Sequence, residues 1–390
     1  MQLALNTPTL ITFVVYLENR FQDGSKLLRV ISAVVILLFF AFYTSSGLVA
    51  GAKLFEASFG LGYYTALWVG GAVIISYTFL GGFLAVSWTD FLQGILMFCA
   101  LIVVPVAAFH VLGGWNETIA AVGGLHPAYN DAFSGMTLFG IVSLMAWGLG
   151  YFGQPHIIVR FMGMRNPDDV PKARLIGITW MVISLFGAIF VGYAGSAYLA
   201  DDPLQDAEKV FIVLSTTLVD PWVAGVLLTA ILAAVMSTID SQLLVSSSAL
   251  SEDFYKPFLR PHASQRELVW VGRGAVIGIA LIALLIAGDP DSQVLGLVSY
   301  AWGGFGAAFG PVIILSLFWR GMSRDGALAG IVLGAVTVVV WKQLSGGIFD
   351  MYEILPGFIV CSTAIVVVSA LRRPEPAVTA QFDQAGRQWR

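Results

Sequence analysis

Ten stretches of about twenty mostly apolar residues dictate what this chain can fold into. They lie near 29–52, 62–82, 89–112, 136–155, 173–199, 221–247, 268–287, 294–318, 327–344 and 354–371. A helix of that length crosses the roughly 30 Å of hydrocarbon in a bilayer, where every backbone N–H and C=O has to be satisfied within the protein. Only 11% of the 390 residues are Asp, Glu, Lys or Arg, against about 25% in soluble domains. The chain therefore reads as an all-α polytopic membrane protein with about ten full transmembrane helices, its partner the lipid bilayer. A soluble enzyme is excluded.

The basic residues orient the spans. If the segment from Glu18 to Arg29 is cytoplasmic, seventeen of the twenty Lys and Arg residues fall on that side, and only Lys53, Lys209 and Lys342 face outward. The positive-inside rule then makes the C-terminus cytoplasmic and the protein integral to the cytoplasmic (inner) membrane. A net charge of −4 offers no basic surface for nucleic acid. Cys99 and Cys361 stand in separate apolar segments, and the four histidines are scattered singly. No cofactor is expected.

Three regions divide the chain: 1–28, a truncated N-terminal stub with a cytoplasmic loop; 29–371, the transmembrane domain; and 372–390, a polar tail read as mobile. The apolar run Leu10–Leu17 is too short to cross hydrocarbon and reads as an interfacial stub. Lys209–Val219 reads as an external interfacial helix. Asp220-Pro221 reads as an N-cap followed by proline at the first helical position.

Several constellations could carry chemistry. Trp147-Gly-Leu-Gly-Tyr151-Phe-Gly-Gln154-Pro155 sets three glycines before a proline, a pattern that weakens a helix in mid-membrane. Irregular backbone at that depth is tolerated where it lines a cavity or is buried in protein. On a regular helix Trp147 and Tyr151 would share a face. A merely kinked, tightly packed helix is the alternative. In the sixth span Ala234, Ser237 and Thr238 share one face and offer a carbonyl and two hydroxyls, neutral oxygens suited to a weakly held monovalent cation. Ordinary Ser/Thr hydrogen bonding to the preceding turn is the alternative. Asp240 is an acid inside a span and a functional candidate by default, unless it is solvated near the helix end. Thr89 and Asp90 either cap the third span or belong to a site. Gly303–Pro311 reads as a small-residue helix interface.

Gly81–Met97 (GGFLAVSWTDFLQGILM) and Ala233–Leu244 (AAVMSTIDSQLL) resemble the two signature stretches of the sodium:solute symporter family. Ser143–Met162, His262–Arg273 and Val294–Pro311 resemble its proline-transporting branch, and the likeness runs from about Arg20 to Arg373. It implies a LeuT-like inverted-repeat fold and sodium-coupled symport of L-proline by alternating access, hence a transporter and no enzyme; Ser237 and Asp240 also lack a paired base. It further implies a sodium site with ligands from the Ala234 carbonyl and the Ser237 and Thr238 hydroxyls. Substrate contacts would fall at Tyr43, Trp147 and Tyr151, and coupling roles at Asp90 and Asp240. One departure matters. The opening TPTLITFVVYL resembles the start of the first family helix, whereas ENRFQDGSK resembles the loop before the fourth. A gap of roughly a hundred residues, room for about three spans, falls at Leu17/Glu18. It removes the first core helix, leaves the first repeat incomplete and implies impaired coupling. A sodium symporter for another small solute, or a non-transporting regulatory protein on the same scaffold, are the alternatives.

Overall fold

The structure is a computed structural model that describes residues 12–80, 83–164 and 166–387. The opening residues up to Ile11, the signature glycines Gly81 and Gly82, and Arg165 lie outside the described residues. The described chain is helical throughout its regular structure. The expected spans correspond to α2 (Leu27–Phe59), α3 (Tyr63–Leu80), α4 (Phe83–Val111), α6 (Leu138–Met145) with a following 3-10 segment (Ala146–Gly153), α8 (Val170–Tyr198), α10 (Pro221–Ser248), α11 (Gln265–Ile286), α12 (Val294–Phe318), α13 (Arg324–Trp341) and α14 (Ile354–Leu371). Eight of these are long and apolar enough to cross a membrane, and the apolar parts of α3 and of the α6 region are shorter.

Local chemistry sets the helix starts. Asp220 accepts from the Trp222 N–H with Pro221 at the first helical position, as expected from the sequence. Ser264 accepts from the Glu267 N–H and Ser323 from the Gly326 N–H, which satisfies donors that a helix start leaves open. The short apolar piece before the sixth span forms α9 (Val210–Thr217).

α12 is the hub, the most deeply enclosed of the long helices. Its Phe305 and Phe309 pack with Phe39 and Phe40 of α2, with ring centroids of Phe40 and Phe305 4.6 Å apart. The Gly303–Pro311 stripe is a packing surface, as its small residues imply: Gly304 seats the Phe39 ring, and Gly306 lies against Gly150 and Ile354.

Two expectations about the ends need correction. The described part of the short apolar run at the start is buried rather than interfacial: from Phe13 on it opens α1 (Phe13–Phe21), whose Phe13, Val14, Leu17 and Phe21 lie in the main core, Phe13 edge-on to Phe309 at 5.0 Å. Burying four large side chains at about 1.5–3 kcal/mol each outweighs what an exposed interfacial seat would give. The tail read as mobile is helical over Pro376–Arg387: α5 (Trp115–Leu125) and α7 (Pro155–Met162) are shorter helices earlier in the chain, and the last element is α15 (Pro376–Arg387). Buried Arg20 of α1 donates to the carbonyls of Ser316 and Val378 and stacks on Phe382, while Arg320 forms a two-pronged pair with Asp383. Removing residues 374–390 is therefore expected to uncover Arg20 and Phe21 and to lower the melting temperature by a few degrees, read by thermal unfolding in detergent; an unchanged transition would mean that α15 carries no stability.

Candidate functional site

The glycines and proline of the fourth span do break the helix. α6 ends at Met145, eight residues wind as a 3-10 helix, Gln154 is extended (φ −78°, ψ 109°), and α7 restarts at Pro155. In a 3-10 helix residues 147 and 151 lie about 120° apart rather than on one face, which corrects the regular-helix expectation. A third ring joins them. Trp302 of α12 stacks on Trp147 (5.4 Å between centroids, 15° between planes) and meets Tyr151 edge-on at 4.8 Å. Its indole N–H donates to the Trp147 carbonyl at 2.9 Å, which satisfies one backbone group left open by the break. Gly150 makes this approach possible, because a Cβ there would lie 1.9 Å from the Trp302 Nε1.

Tyr43 of α2 reaches the same apolar cluster, which also holds Ala146, Ile354, Leu149, Ile157, Tyr352 and Leu355. Its ring stands edge-on to His156 at 5.8 Å. The three residues expected to contact substrate are thus brought together, Tyr43 and Trp147 within the cluster and Tyr151 through Trp302. Trp302 and Tyr352 were missed as members of this wall: each lies more than 150 residues from Trp147 in sequence, Trp302 just before the stretch read as packing surface and Tyr352 between the last two expected spans.

The three expected sodium ligands sit on regular helix α10, all partly buried. The Ser237 hydroxyl donates to the Ala234 carbonyl at 3.2 Å, which is the ordinary back-bonding alternative. They present a half-shell of oxygens on one face.

Asp240 is fully buried, which removes the solvated alternative: α10 continues through a π-helical segment (Ala249–Leu259), so Asp240 lies about five turns from the helix end. Its Oδ1 accepts from the Thr78 hydroxyl of α3, and its Oδ2 has no partner among the described residues. Asp90 does not cap a helix, because α4 begins at Phe83. Its carboxylate pairs with Arg160 of α7 at 2.6 Å, and the same guanidinium nitrogen donates to the Ser241 hydroxyl of α10. Ser241 in turn donates to the Ser237 carbonyl at 2.8 Å. Arg160, counted in the sequence only as a basic residue, thus joins α4, α7 and α10 one turn from the oxygen half-shell.

At the opposite end of the molecule, where the three sparse lysines lie, each has an acid. Lys53, nearly buried, pairs with Asp206 at 2.9 Å and Glu208 at 2.7 Å; Lys209 pairs with Glu56 at 2.8 Å, and Lys342 approaches Glu353 at 3.8 Å. Glu208 also accepts the first N–H groups of α12, from Val294 and Leu295. Partial burial pushes the Asp206 carboxyl up, but the Lys53 ammonium, the Glu208 N–H and Lys209 outweigh it and hold the group below the ordinary carboxylate range. A depressed carboxylate contributes stability above its unfolded-state pKa and loses it as pH falls through the folded value. The detergent-solubilised chain is accordingly expected to lose thermal stability as the medium is acidified below about pH 4, and Asp206→Asn should flatten that acid limb. An identical limb in the variant would rule the pair out as its source.

Comparison with known proteins agrees with the layout. Residues 3–334 match the sodium:solute symporter family. The chain is 54% identical over 377 residues to the sodium/proline symporter of Escherichia coli (strain K12), covering 95% of this chain and 75% of that protein. Against the high-affinity proline transporter PutP of Bacillus subtilis (strain 168) the identity is 50%, with 96% and 79% covered. Against the osmoregulated proline transporter OpuE of the same organism it is 47%, with 94% and 75% covered. Among solved structures, a Na+-coupled sialic acid symporter in a substrate-bound outward-open state superposes with a TM-score of 0.72 over 92% of this chain and 77% of that one, at 19% identity. That likeness speaks for the fold alone, a LeuT-like symporter architecture.

Proposed function

Because the chain belongs to the sodium:solute symporter family, we propose that it moves L-proline together with sodium across the cytoplasmic membrane by alternating access, as an integral membrane transporter and not as an enzyme. The observation that carries this reading is identity of about 50% over nearly the whole chain with relatives that are proline transporters. The positive-inside rule supports a cytoplasmic C-terminus, which puts α15 and the Arg20 contacts inside and the lysine pairs outside.

The residues suggest how the parts act. Tyr43, Trp147 and Tyr151, with Trp302, supply aromatic walls for an apolar pyrrolidine ring. Sodium, as cargo, takes neutral oxygens from Ala234, Ser237 and Thr238; a neutral half-shell holds the ion loosely enough for release. The path between the two runs along the broken helix to α7, then through Arg160 to Ser241 and the Ser237 carbonyl. Asp90 anchors that path on α4, and Asp240 anchors α10 on α3. A shift of α7 on substrate binding therefore bears directly on the ion ligands, which is a physical basis for coupling.

The relatives are longer, this chain spanning 75–79% of them. We place a missing internal segment at Leu17/Glu18, which includes the first core helix and its share of ligands, so coupling in the 390-residue chain is weakened. Sodium-driven uptake of radiolabelled L-proline into vesicles tests the reading. Sodium-dependent, saturable proline binding or slow uptake is expected; uptake as robust as that of the full-length relatives would show that the half-shell suffices, and neither binding nor uptake would overturn the proline assignment.

A further inference from the structure

The break in the fourth span leaves one buried polar atom unexplained. Gln154 is 0% exposed and stands at the extended residue between the 3-10 segment and α7. Its Nε2 donates to two carbonyls, Gly150 at 3.1 Å and Trp302 at 3.2 Å. Two acceptors on one side fix the carboxamide orientation, since the oxygen turned that way would meet lone pairs. Its Oε1 therefore faces elsewhere, and it has no partner among the described residues. A buried acceptor left unpaired costs about 1–3 kcal/mol and calls for an explanation in a native structure.

The surroundings narrow what the missing partner is. The Trp302 indole of the aromatic wall is already committed to the Trp147 carbonyl. Pro155, next in the chain, has no N–H to give. Two residues on, the His156 Nδ1 is likewise buried without a partner among the described residues, and its ring lies edge-on to Tyr43 and Phe40. An unpaired amide oxygen and an unpaired ring nitrogen thus flank Pro155 beside aromatic rings, and the Gln154 oxygen offers an acceptor where an incoming molecule would supply a donor.

The geometry points to Gln154 as the residue that reads the amine of the substrate: its Oε1 accepts an N–H from a charged secondary amine held against the Trp147–Trp302–Tyr43 wall. This deepens the proline reading and rests on it. Gln154 has a double role, its Nε2 holding the 3-10 segment to α12 and its Oε1 selecting an amino acid over a ring acid of the same shape. A site built to hydrogen-bond an N–H discriminates strongly against an analogue without it, because the buried acceptor is then left unpaired.

The test is competition binding on the full 390-residue chain in proteoliposomes, with radiolabelled L-proline displaced by tetrahydrofuran-2-carboxylate and cyclopentanecarboxylate, which keep the ring and carboxylate without the N–H. The unaltered chain is expected to prefer proline at least tenfold. Gln154→Leu should weaken proline about tenfold while leaving the analogues unchanged, so that the preference disappears. Gln154→Glu loses the Nε2 donors but puts a charged acceptor opposite the amine, and should widen the preference for proline over the analogues even if its stability falls; if the leucine variant does not fold, an unwidened preference in this variant overturns the assignment. Equal weakening of proline and analogues in both variants would mean that Gln154 only ties the break to α12, and would overturn the assignment. Absence of proline binding to the unaltered chain overturns the proline reading itself, a separate and recognisable failure.

Discussion

Gly153→Ala is expected to unseat the broken helix from α12 and to destabilise the protein by about 3 kcal/mol or more. A Cβ at position 153 would lie 2.3 Å from the Phe305 carbonyl oxygen and 2.9 Å from both the Gly306 Cα and the Gly310 nitrogen. All three are backbone atoms, so no rotamer change relieves the contact, and α12 cannot retreat without disturbing the Phe40–Phe305 packing. Gly148, five residues earlier, has nothing within 4 Å of its added Cβ and serves as the control, its alanine variant remaining folded. Thermal unfolding in detergent reads both. Equal stability of the two variants would mean that the break does not depend on close approach to α12.

The second large effect falls on ion dependence. Ser237→Ala with Thr238→Ala removes both hydroxyls of the half-shell and leaves only the Ala234 carbonyl. The sodium concentration that half-saturates proline binding is expected to rise at least tenfold, about 1.4 kcal/mol, with little change in folding, since both side chains are only partly buried. Thr229→Ala, on the same helix with its hydroxyl bonded to the Gly225 carbonyl, should leave sodium dependence unchanged. Ser241→Ala separates the two parts of the mechanism: it cuts the Arg160 link without touching the ion oxygens. A double variant with unaltered sodium response would remove the half-shell from the ion site.

Much of the fold was legible in the chain because the bilayer leaves few choices. Apolar length alone marked the helices, Asp220-Pro221 marked a start, and the glycines before Pro155 marked the break. The candidate site was legible in part. Trp147, Tyr151 and the Ala234–Thr238 face are local patterns, and Tyr43 came from family resemblance. Its remaining members were not, for a physical reason in each case. Trp302 reaches Trp147 across 155 residues of sequence, and its place depends on Gly150 lacking a side chain. Arg160 carried no signal beyond its charge, because an ion pair between separate helices has no local periodicity. The burial of α1 was hidden as well, since a short apolar run such as Leu10–Leu17 is equally consistent with an interface and a core until its neighbours are placed.

The amino-acid sequence by itself therefore determined the solvent of this protein, the stretches that form its long helices and the point where one helix has to break. Hydrophobic length and helix-breaking residues act locally and need no partner. Only the tertiary structure decided what fills the break and which polar atoms stay open beside it. Whether a buried oxygen such as the Gln154 Oε1 is satisfied depends on every group within reach, and those groups come from helices that the chain brings together only on folding.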